Sequence, residues 1–159
     1  MRIAVVGEPD LADLLPLMRA YCDFYGVAPG DDALLGLART LLADPTREGF
    51  QLIARDDGGR AIGFATVFWS RSTLAAARTA IMNDLFVHPD ARGTGLAEAL
   101  IEECRLRAGR GGAVSMGWQT GRDNARAQRV YERLGAARAE WIDYSVDTTS
   151  RRSEAPPGD

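Results

Sequence analysis

The sequence predicts an α+β protein, with a mixed β-sheet and helices packed on it. Short runs rich in β-branched and aromatic residues occur along the chain, and segments with apolar residues at spacings of three and four lie between them. No segment repeats another. The 159 residues, 46% of them hydrophobic, suffice for one domain with a substantial core, predicted over residues 1–147.

Strands and helices are mixed along the predicted domain. In chain order, the elements are strand 2–6, helix 11–25, helix 31–43, strands 50–56, 61–69 and 79–87, helix 95–108, strand 113–119, helix 124–134 and a last strand or strand pair at 137–147.

The two N-terminal helices follow from apolar periodicity and from their ends. Apolar residues recur at helical spacing from Leu11 onward, but Pro16 is expected to bend or break this first helix. The second helix carries Asp31 and Asp32 at its positive N-terminal end and is expected to stop before Pro45.

The later elements depend on turn residues and on one apolar stripe. Residues 57–60, Asp-Gly-Gly-Arg, are typical of a hairpin loop between two strands. Leu96, Leu100 and Cys104 share one face of the helix predicted over 95–108. Residues 148–159, rich in Ser, Arg and Pro, are expected to be disordered.

Two features of the composition exclude several chemistries. All 19 basic residues are arginine, so no lysine is present to form a Schiff base or to bind an ATP phosphate. The single histidine, His88, makes a histidine-based triad or a multi-histidine metal site improbable, and no metal is predicted. Codon bias accounts for the missing lysine, but the exclusions hold whatever its cause.

Charge and apolar content bear on partners and location. The net charge of −3 and pI of about 5.2 argue against a nucleic-acid binder. Residues 1–50 have a balance of −4 and residues 105–138 a balance of +6, which indicates either two functional poles or two solvated surfaces. No 18-residue apolar run and no secretory signal are found, so no membrane association and a cytoplasmic location are expected.

The first motif that carries chemistry lies where a strand is followed by a glycine-rich loop and a helix. Gly93 and Gly95 let the backbone approach a ligand closely, and the free N–H groups of a first helical turn favour an anion. Alone, such a glycine pair is weak support for a phosphate site.

The second motif consists of Asn124, Ala127, Tyr131 and Gly135. Spacings of three and four place the first three on one face of a helix, and Gly135 is its expected C-terminal stop. Considered alone, this pattern is better explained by a helix that packs a small residue and a tyrosine into the core.

Together and in this order, the two motifs resemble the GCN5-related N-acetyltransferase (GNAT) superfamily. Its pyrophosphate-loop pattern is met by Arg92, Gly95 and Ala97, and its second pattern by Asn124 to Gly135. The segment 83–87 and Trp118 look most like the diamine, polyamine and histone-type branch. The resemblance implies a sheet of six to seven strands, splayed between the fourth and the fifth, with about four helices.

The resemblance also implies acetyl-CoA as co-substrate, bound between the splayed strands. The backbone of Leu85, Phe86 and Val87 would pair with the pantetheine arm, and Asn124 and Ala127 would lie beside it. The residues that would cradle the pyrophosphate form one loop and helix start: Arg92, Gly93, Thr94, Gly95, Leu96 and Ala97.

The implied chemistry is direct acetyl transfer to an amine, with Tyr131 as the acid that protonates the CoA thiolate and a backbone N–H near Leu85 that meets the oxyanion. The base is open. Polyamine-type relatives commonly carry a glutamate where this chain has Asn83, and Asp84 is either the base, acting through water, or a buried carboxylate with a structural role.

Candidate substrate contacts complete the prediction. Tyr21, Tyr25, Asn83 and Trp118 are the chosen residues. Weaker candidates are Asp23, Phe24, Asp31, Asp32 and Trp69. The expected function is acetylation of a small cationic metabolite by a homodimer. A peptide or protein N-acetyltransferase and a non-catalytic CoA-binding module are the alternatives.

Overall fold

The computed structural model describes residues 1–148 and has one open, five-stranded mixed sheet in the order β1-β2-β3-β4-β5. The strands are β1 (Arg2–Val5), β2 (Gly49–Arg55), β3 (Ala61–Ser72), β4 (Ala77–Val87) and β5 (Met116–Gly117). Neighbours from β1 to β4 are antiparallel, whereas β4 and β5 are parallel. The predicted fold class is therefore confirmed.

Four helices cover the two faces of the sheet. They are α1 (Leu11–Phe24), α2 (Asp31–Ala43), α3 (Leu96–Arg110) and α4 (Ala125–Arg133), with 3₁₀ turns at Glu8–Asp10 and Pro89–Ala91. Helices α1 and α2 bury Leu14 and Ala38 against Ile53 and Phe64 on one face. Helix α3 buries Leu100 and its neighbours on the other face. Because side chains alternate between the two faces along each strand, the sheet contributes to two separate cores.

Cys104 lies in the packed layer that its apolar spacing predicted. It is fully buried on the inner face of α3, and burial raises the pKa of its thiol to about 12. Both cysteines are free, and Cys22 is partly buried on α1. Within residues 1–148, no group of three metal-ligating side chains forms, and no helix is long and apolar enough to cross a bilayer.

Pro16 does not break α1, which runs without interruption from Leu11 to Phe24. Proline removes the N–H that would bond the carbonyl of Ala12. Ala12 and Pro16 both lie on the exposed face of the helix, where water can satisfy that carbonyl. The buried residues Leu14, Leu17 and Met18 hold the helix in place on either side of the proline.

The last predicted strand was wrong. Residues 137–147 form no strand, and Trp141 and Tyr144 are 81% and 91% exposed. The prediction of 113–119 as a strand was too long, since only Met116 and Gly117 pair with β4. A two-residue edge strand offers too short a ladder for a further strand to join. The described sheet therefore has five strands rather than six or seven, and the predicted disordered tail lies outside the described residues except for Thr148.

Candidate active site

A cleft of about 410 Å³ opens where β4 and β5 separate. The two strands pair only through Ala80 with Met116 and Ile81 with Gly117, and the chain after Gly117 then leaves β4. Its walls come from α1, β4, the start of α3, the segment after β5 and α4. The splay between the fourth and fifth strands, expected from the resemblance, is thus present.

The outer edge of β4 forms one wall of this cleft. Met82, Asn83, Leu85, Phe86 and Val87 all line it. Within the described chain no strand pairs with this edge beyond Ile81, so its backbone groups can meet an extended ligand. One group is already engaged, because Nε of the neighbouring Arg92 donates to the carbonyl of Val87 over 3.2 Å.

A β-bulge at Asn83 interrupts the alternation of β4. Thr66 pairs with Asp84 and Val67 pairs with Met82, which leaves Asn83 as the extra residue. Asn83 is exposed in the cleft, whereas Asp84 turns to the opposite face of the sheet, toward α1.

The loop before α3 has the backbone that the first motif predicted. Gly93 and Gly95 have φ of +81° and +83°, a region that strains residues with a side chain. Gly95 is the N-cap of α3 and supplies no side chain to cap the first turn, so the amides of Leu96 and Ala97 border the cleft at the positive end of a 15-residue helix. Thr94 does not compete for them, since its Oγ1 donates to the carbonyl of Ala91 over 2.7 Å.

Arginines concentrate at this end of the cleft. Arg92, Arg126, Arg129 and Arg133 line it, and Arg133 forms an ion pair with Glu98 that joins α3 to α4. Arg126 and Arg129 form no ion pair within residues 1–148. Two uncompensated guanidinium groups beside a helix N-terminus make this end suitable for phosphates.

The second motif fixes both ends of α4. Oδ1 of Asn124 accepts a hydrogen bond from the Ala127 N–H over 3.2 Å and caps the helix, which leaves Nδ2 able to donate to a ligand. Gly135, with φ of +72°, ends the helix: its N–H bonds the Glu132 carbonyl and the Ala136 N–H bonds the Tyr131 carbonyl. This double-bonded stop holds the turn that carries Tyr131.

Tyr131 is half-buried on the cleft wall opposite β4. Its ring packs edge to face against Trp118 with centroids 5.3 Å apart. Burial raises the pKa of the Tyr131 hydroxyl, the nearby Tyr25 raises it further, and a hydrogen bond with Thr120 offsets part of the shift. Tyr131 is therefore a neutral phenol at pH 7 and able to donate a proton.

Asp84 lies behind the cleft rather than on its wall. It is 9% exposed, its Oδ1 accepts a hydrogen bond from Asn83 Nδ2 over 2.9 Å, and no arginine of the described chain pairs with it. Tyr21 separates it from the cleft and donates to the Asn83 carbonyl over 3.4 Å. Burial and then the charge of Asp84 raise the pKa of Tyr21, and the same two causes raise the pKa of the Cys22 thiol. If Asp84 acts as the base, the proton must reach it through another group, such as a water molecule or the Tyr21 hydroxyl.

Several candidate residues are not at the cleft. Trp69 lies elsewhere, where its indole N–H donates to the Pro45 carbonyl and Arg78 stacks on its ring. Asp31 pairs with Arg19, and Asp32 does not line the cleft. The acidic surplus of residues 1–50 is largely consumed in ion pairs of this kind, so it does not mark a cation entrance.

Sequence reasoning missed four contributors to the cleft. Thr120 interacts with the Tyr131 hydroxyl, and Glu98 positions Arg133 across 35 positions of sequence. No local pattern signals either partnership. Arg126 and Arg129 were visible only as part of a basic stretch, because nothing in the spacing separates them from the arginines that pair elsewhere.

Comparison with known proteins agrees with this geometry. The model of the acetyltransferase (GNAT) family matches residues 14–136. The uncharacterized N-acetyltransferase YhfO of Bacillus subtilis is 31% identical over 135 residues, which cover 85% of this chain and 89% of that protein. The D-amino-acid N-acetyltransferase HPA3 of Saccharomyces cerevisiae is 34% identical over 109 residues, which cover 68% of this chain and 66% of HPA3.

A solved structure extends the similarity to the whole fold. The crystal structure of a probable acetyltransferase superposes with a TM-score of 0.81 at 29% identity and covers 95% of this chain and 100% of that one. The open edge of β4, the bare N-terminus of α3 and the neutral Tyr131 are thus found in a chain that matches acetyltransferases in sequence and in fold. The chain belongs to the GNAT family and is an acyl-CoA-dependent N-acetyltransferase.

Proposed function

We propose that this enzyme transfers the acetyl group of acetyl-CoA directly to the primary amine of a small cationic metabolite, with Tyr131 as the general acid. The observation that carries the proposal is the position of Tyr131. Its half-buried hydroxyl lies on the wall of a cleft whose other walls are the unpaired edge of β4 and the N-terminus of α3.

The residues present fit acetyl-CoA, which supplies the acetyl thioester. The unpaired edge from Leu85 to Val87 suits the two amides of a pantetheine arm, and Asn124 Nδ2 adds a donor. The amides after Gly95 and the uncompensated Arg126 and Arg129 suit the phosphates.

Tyr131 would assist the departure of the thiolate. As the new C–N bond forms and the C–S bond breaks, the Tyr131 hydroxyl gives its proton to the sulfur. The backbone N–H of Leu85 or its neighbour is the candidate donor to the oxyanion. The nitrogen gives up a proton as the amide forms, and this proton restores the Tyr131 phenol. Because the amine attacks the thioester directly, no covalent enzyme intermediate is needed.

The amine must lose its proton before it attacks. For an alkyl amine of pKa near 10.4, this costs about 4–5 kcal/mol at pH 7. Asn83 lies at the cleft but cannot accept a proton. Asp84 is the candidate base, acting through the Tyr21 hydroxyl or a water molecule.

Asp84→Asn tests this assignment. Without a carboxylate the ammonium group must lose its proton to solvent, so we expect the pH dependence of kcat/KM to move toward higher pH, nearer the pKa of the amine. Asp32→Asn, which removes an exposed carboxylate outside the cleft, should leave the profile in place. An unmoved profile together with a lower melting temperature in Asp84→Asn would instead make Asp84 a structural carboxylate.

Arg129→Gln tests the phosphate end of the cleft. The change removes a cation that has no ion-pair partner in the described chain, so we expect the Kd of acetyl-CoA to rise about three- to tenfold with little change in kcat. Isothermal titration calorimetry measures the Kd. Arg110→Gln, outside the cleft lining, is the matched control, and an equal effect in both variants would contradict the placement.

Two observations bear on the choice of acceptor. HPA3 is named for D-amino acids, but the arginines that would hold an amino-acid carboxylate lie at the α3–α4 end of the cleft, which argues against an amino-acid acceptor. Phe24 and Tyr25 are exposed at the α1 end, which leaves a peptide amine as the alternative acceptor.

A turnover screen with thiol detection, over small amines, amino acids and peptides, decides between these acceptors. We expect small amines to be acetylated fastest. Faster turnover of peptides favours the peptide or protein enzyme, and acetyl-CoA binding without any turnover favours the non-catalytic module.

The proposal also includes a homodimer of single-domain subunits, residues 1–147, in the cytoplasm. Light scattering of the purified chain tests the dimer directly.

A further inference from the structure

The last turn of α1 presents an aromatic surface to the cleft. Tyr21, Phe24 and Tyr25 contact one another in sequence, with ring centroids 5.0 Å apart for Tyr21 and Tyr25 and 5.1 Å apart for Phe24 and Tyr25. All three line the cleft, yet Phe24 remains 64% exposed and Tyr25 55% exposed. Large rings left open at the mouth of a cleft indicate contact with an apolar ligand group.

The charges at this end of the cleft favour a cation close to Tyr21. The buried carboxylate of Asp84 lies behind Tyr21 and Asn83 without a cationic partner in the described chain. Helix α1 also ends here, and its last turn holds no basic residue that would offset the negative end of the helix.

Arginine is missing from this end of the cleft within residues 1–148. The four arginines that line the cleft are Arg92, Arg126, Arg129 and Arg133, all on the loop before α3 or on α4. A carboxylate next to the acceptor amine would therefore face Asp84 and a helix C-terminus with nothing to neutralise it.

The exposed rings also favour an acceptor with an apolar body over an acceptor with a second charged group. An aromatic or branched apolar group covers Phe24 and Tyr25 and removes both surfaces from water. A second ammonium group at the same place keeps its hydration and gains little, because cation–π attraction is weak at exposed rings.

We infer that the acceptor is a monoamine in which a short alkyl arm joins the primary amine to an aromatic or branched apolar body, without a carboxylate beside the amine. The ammonium lies against Tyr21 and Asn83 on the cleft side, in front of Asp84, and the apolar body covers Phe24 and Tyr25. This inference rests on the proposed acetyl transfer and narrows its acceptor class.

The test compares kcat/KM, at saturating acetyl-CoA, for 2-phenylethylamine, phenylalanine, spermidine and propylamine. Phenylalanine adds only the carboxylate to the first compound, spermidine replaces the ring with further charges, and propylamine lacks the ring. We expect 2-phenylethylamine to exceed each of the others at least tenfold.

The variant Phe24→Ala connects the preference to the aromatic surface. Phe24 is mostly exposed, so folding is preserved, and the ratio of kcat/KM for 2-phenylethylamine to that for propylamine should fall at least threefold. Leu74→Ala, which trims a side chain 94% exposed and outside the cleft, should leave this ratio unchanged.

The outcomes separate the inference from the proposed function. Acetylation of spermidine, phenylalanine or propylamine as fast as 2-phenylethylamine overturns the inference and leaves acetyl transfer intact. An unchanged ratio in Phe24→Ala also overturns it. If acetyl-CoA binds and none of these four amines is acetylated, the proposed function fails and the inference fails with it.

Discussion

Tyr131→Phe lowers kcat at least about tenfold, the low end of what a positioned general acid contributes, and leaves the Kd of acetyl-CoA within about twofold. The substitution removes only the hydroxyl. The ring that packs on Trp118 stays, so the wall of the cleft is preserved. Transfer would lose the proposed proton donor to the thiolate, whereas ground-state binding would lose nothing.

Steady-state turnover with thiol detection and calorimetric binding measure the two quantities separately. Tyr144→Phe is the matched control, because Tyr144 is 91% exposed and is not among the residues that line the cleft. An unchanged kcat in Tyr131→Phe would exclude Tyr131 as the acid. A parallel rise in Kd would instead assign the hydroxyl to binding.

The pH dependence supplies a second readout of the same group. Because burial raises the pKa of Tyr131, its proton is retained beyond the ordinary phenol range, and loss of activity through its ionisation belongs above pH about 10. An alkaline decline that begins near neutral pH and disappears in Tyr131→Phe would contradict the raised pKa.

The second large effect concerns stability. Gly49→Ala should lower the free energy of unfolding by about 3 kcal/mol or more, since it combines backbone strain with a steric clash. Gly49 begins β2 with φ of +141°, and a Cβ there would lie 2.0 Å from the Val67 carbonyl oxygen of the neighbouring strand. Val67 is fully buried in β3, so it has little room to move.

Gly36→Ala is a control in which the same substitution should raise the free energy of unfolding instead of lowering it. Gly36 is exposed within α2, and an added Cβ meets nothing within 4 Å. The helix should gain about 0.5–1 kcal/mol from the lower entropy of the unfolded chain. Urea unfolding with an unchanged m-value measures both variants, and equal small effects would contradict the strain at Gly49.

Much of the fold could be predicted because local signals agree with it. The hairpin loop at 57–60, the stop before Pro45 and the apolar stripe of α3 all occur as their residues indicate. The motif residues could be predicted for the same reason: Gly95 and Gly135 have the positive φ for which glycine is used, and Asn124 caps the helix that follows it.

The features that failed depend on partners far away in sequence. Strand alternation placed Asn83 with Leu85, but the bulge that displaces it exists only in the register with Thr66 and Val67. Pro16 is tolerated because the exposed side of α1 absorbs its missing hydrogen bond. Residues 137–147 have strand propensity but form no strand, because β5, which pairs through two residues only, offers too short an edge for them to join.

The chosen substrate and acid candidates share one cleft, but the geometry of that cleft was not predictable. Tyr131, Tyr21, Tyr25, Asn83 and Trp118 meet at one cleft. Asp84 was placed correctly on the face opposite Leu85, yet the sequence does not reveal that Tyr21 and Asn83 stand between it and the cleft. Nor does it reveal which arginines lack an ion-pair partner.

The central claim is that acetyl-CoA occupies the opening between β4 and β5 with its sulfur beside Tyr131. A crystal structure of the enzyme with CoA tests this most directly. We expect pantetheine along Leu85 to Val87, phosphates at the amides after Gly95, and the sulfur within hydrogen-bond reach of Tyr131 Oη. CoA bound outside this cleft, or with its sulfur remote from Tyr131, would contradict the claim.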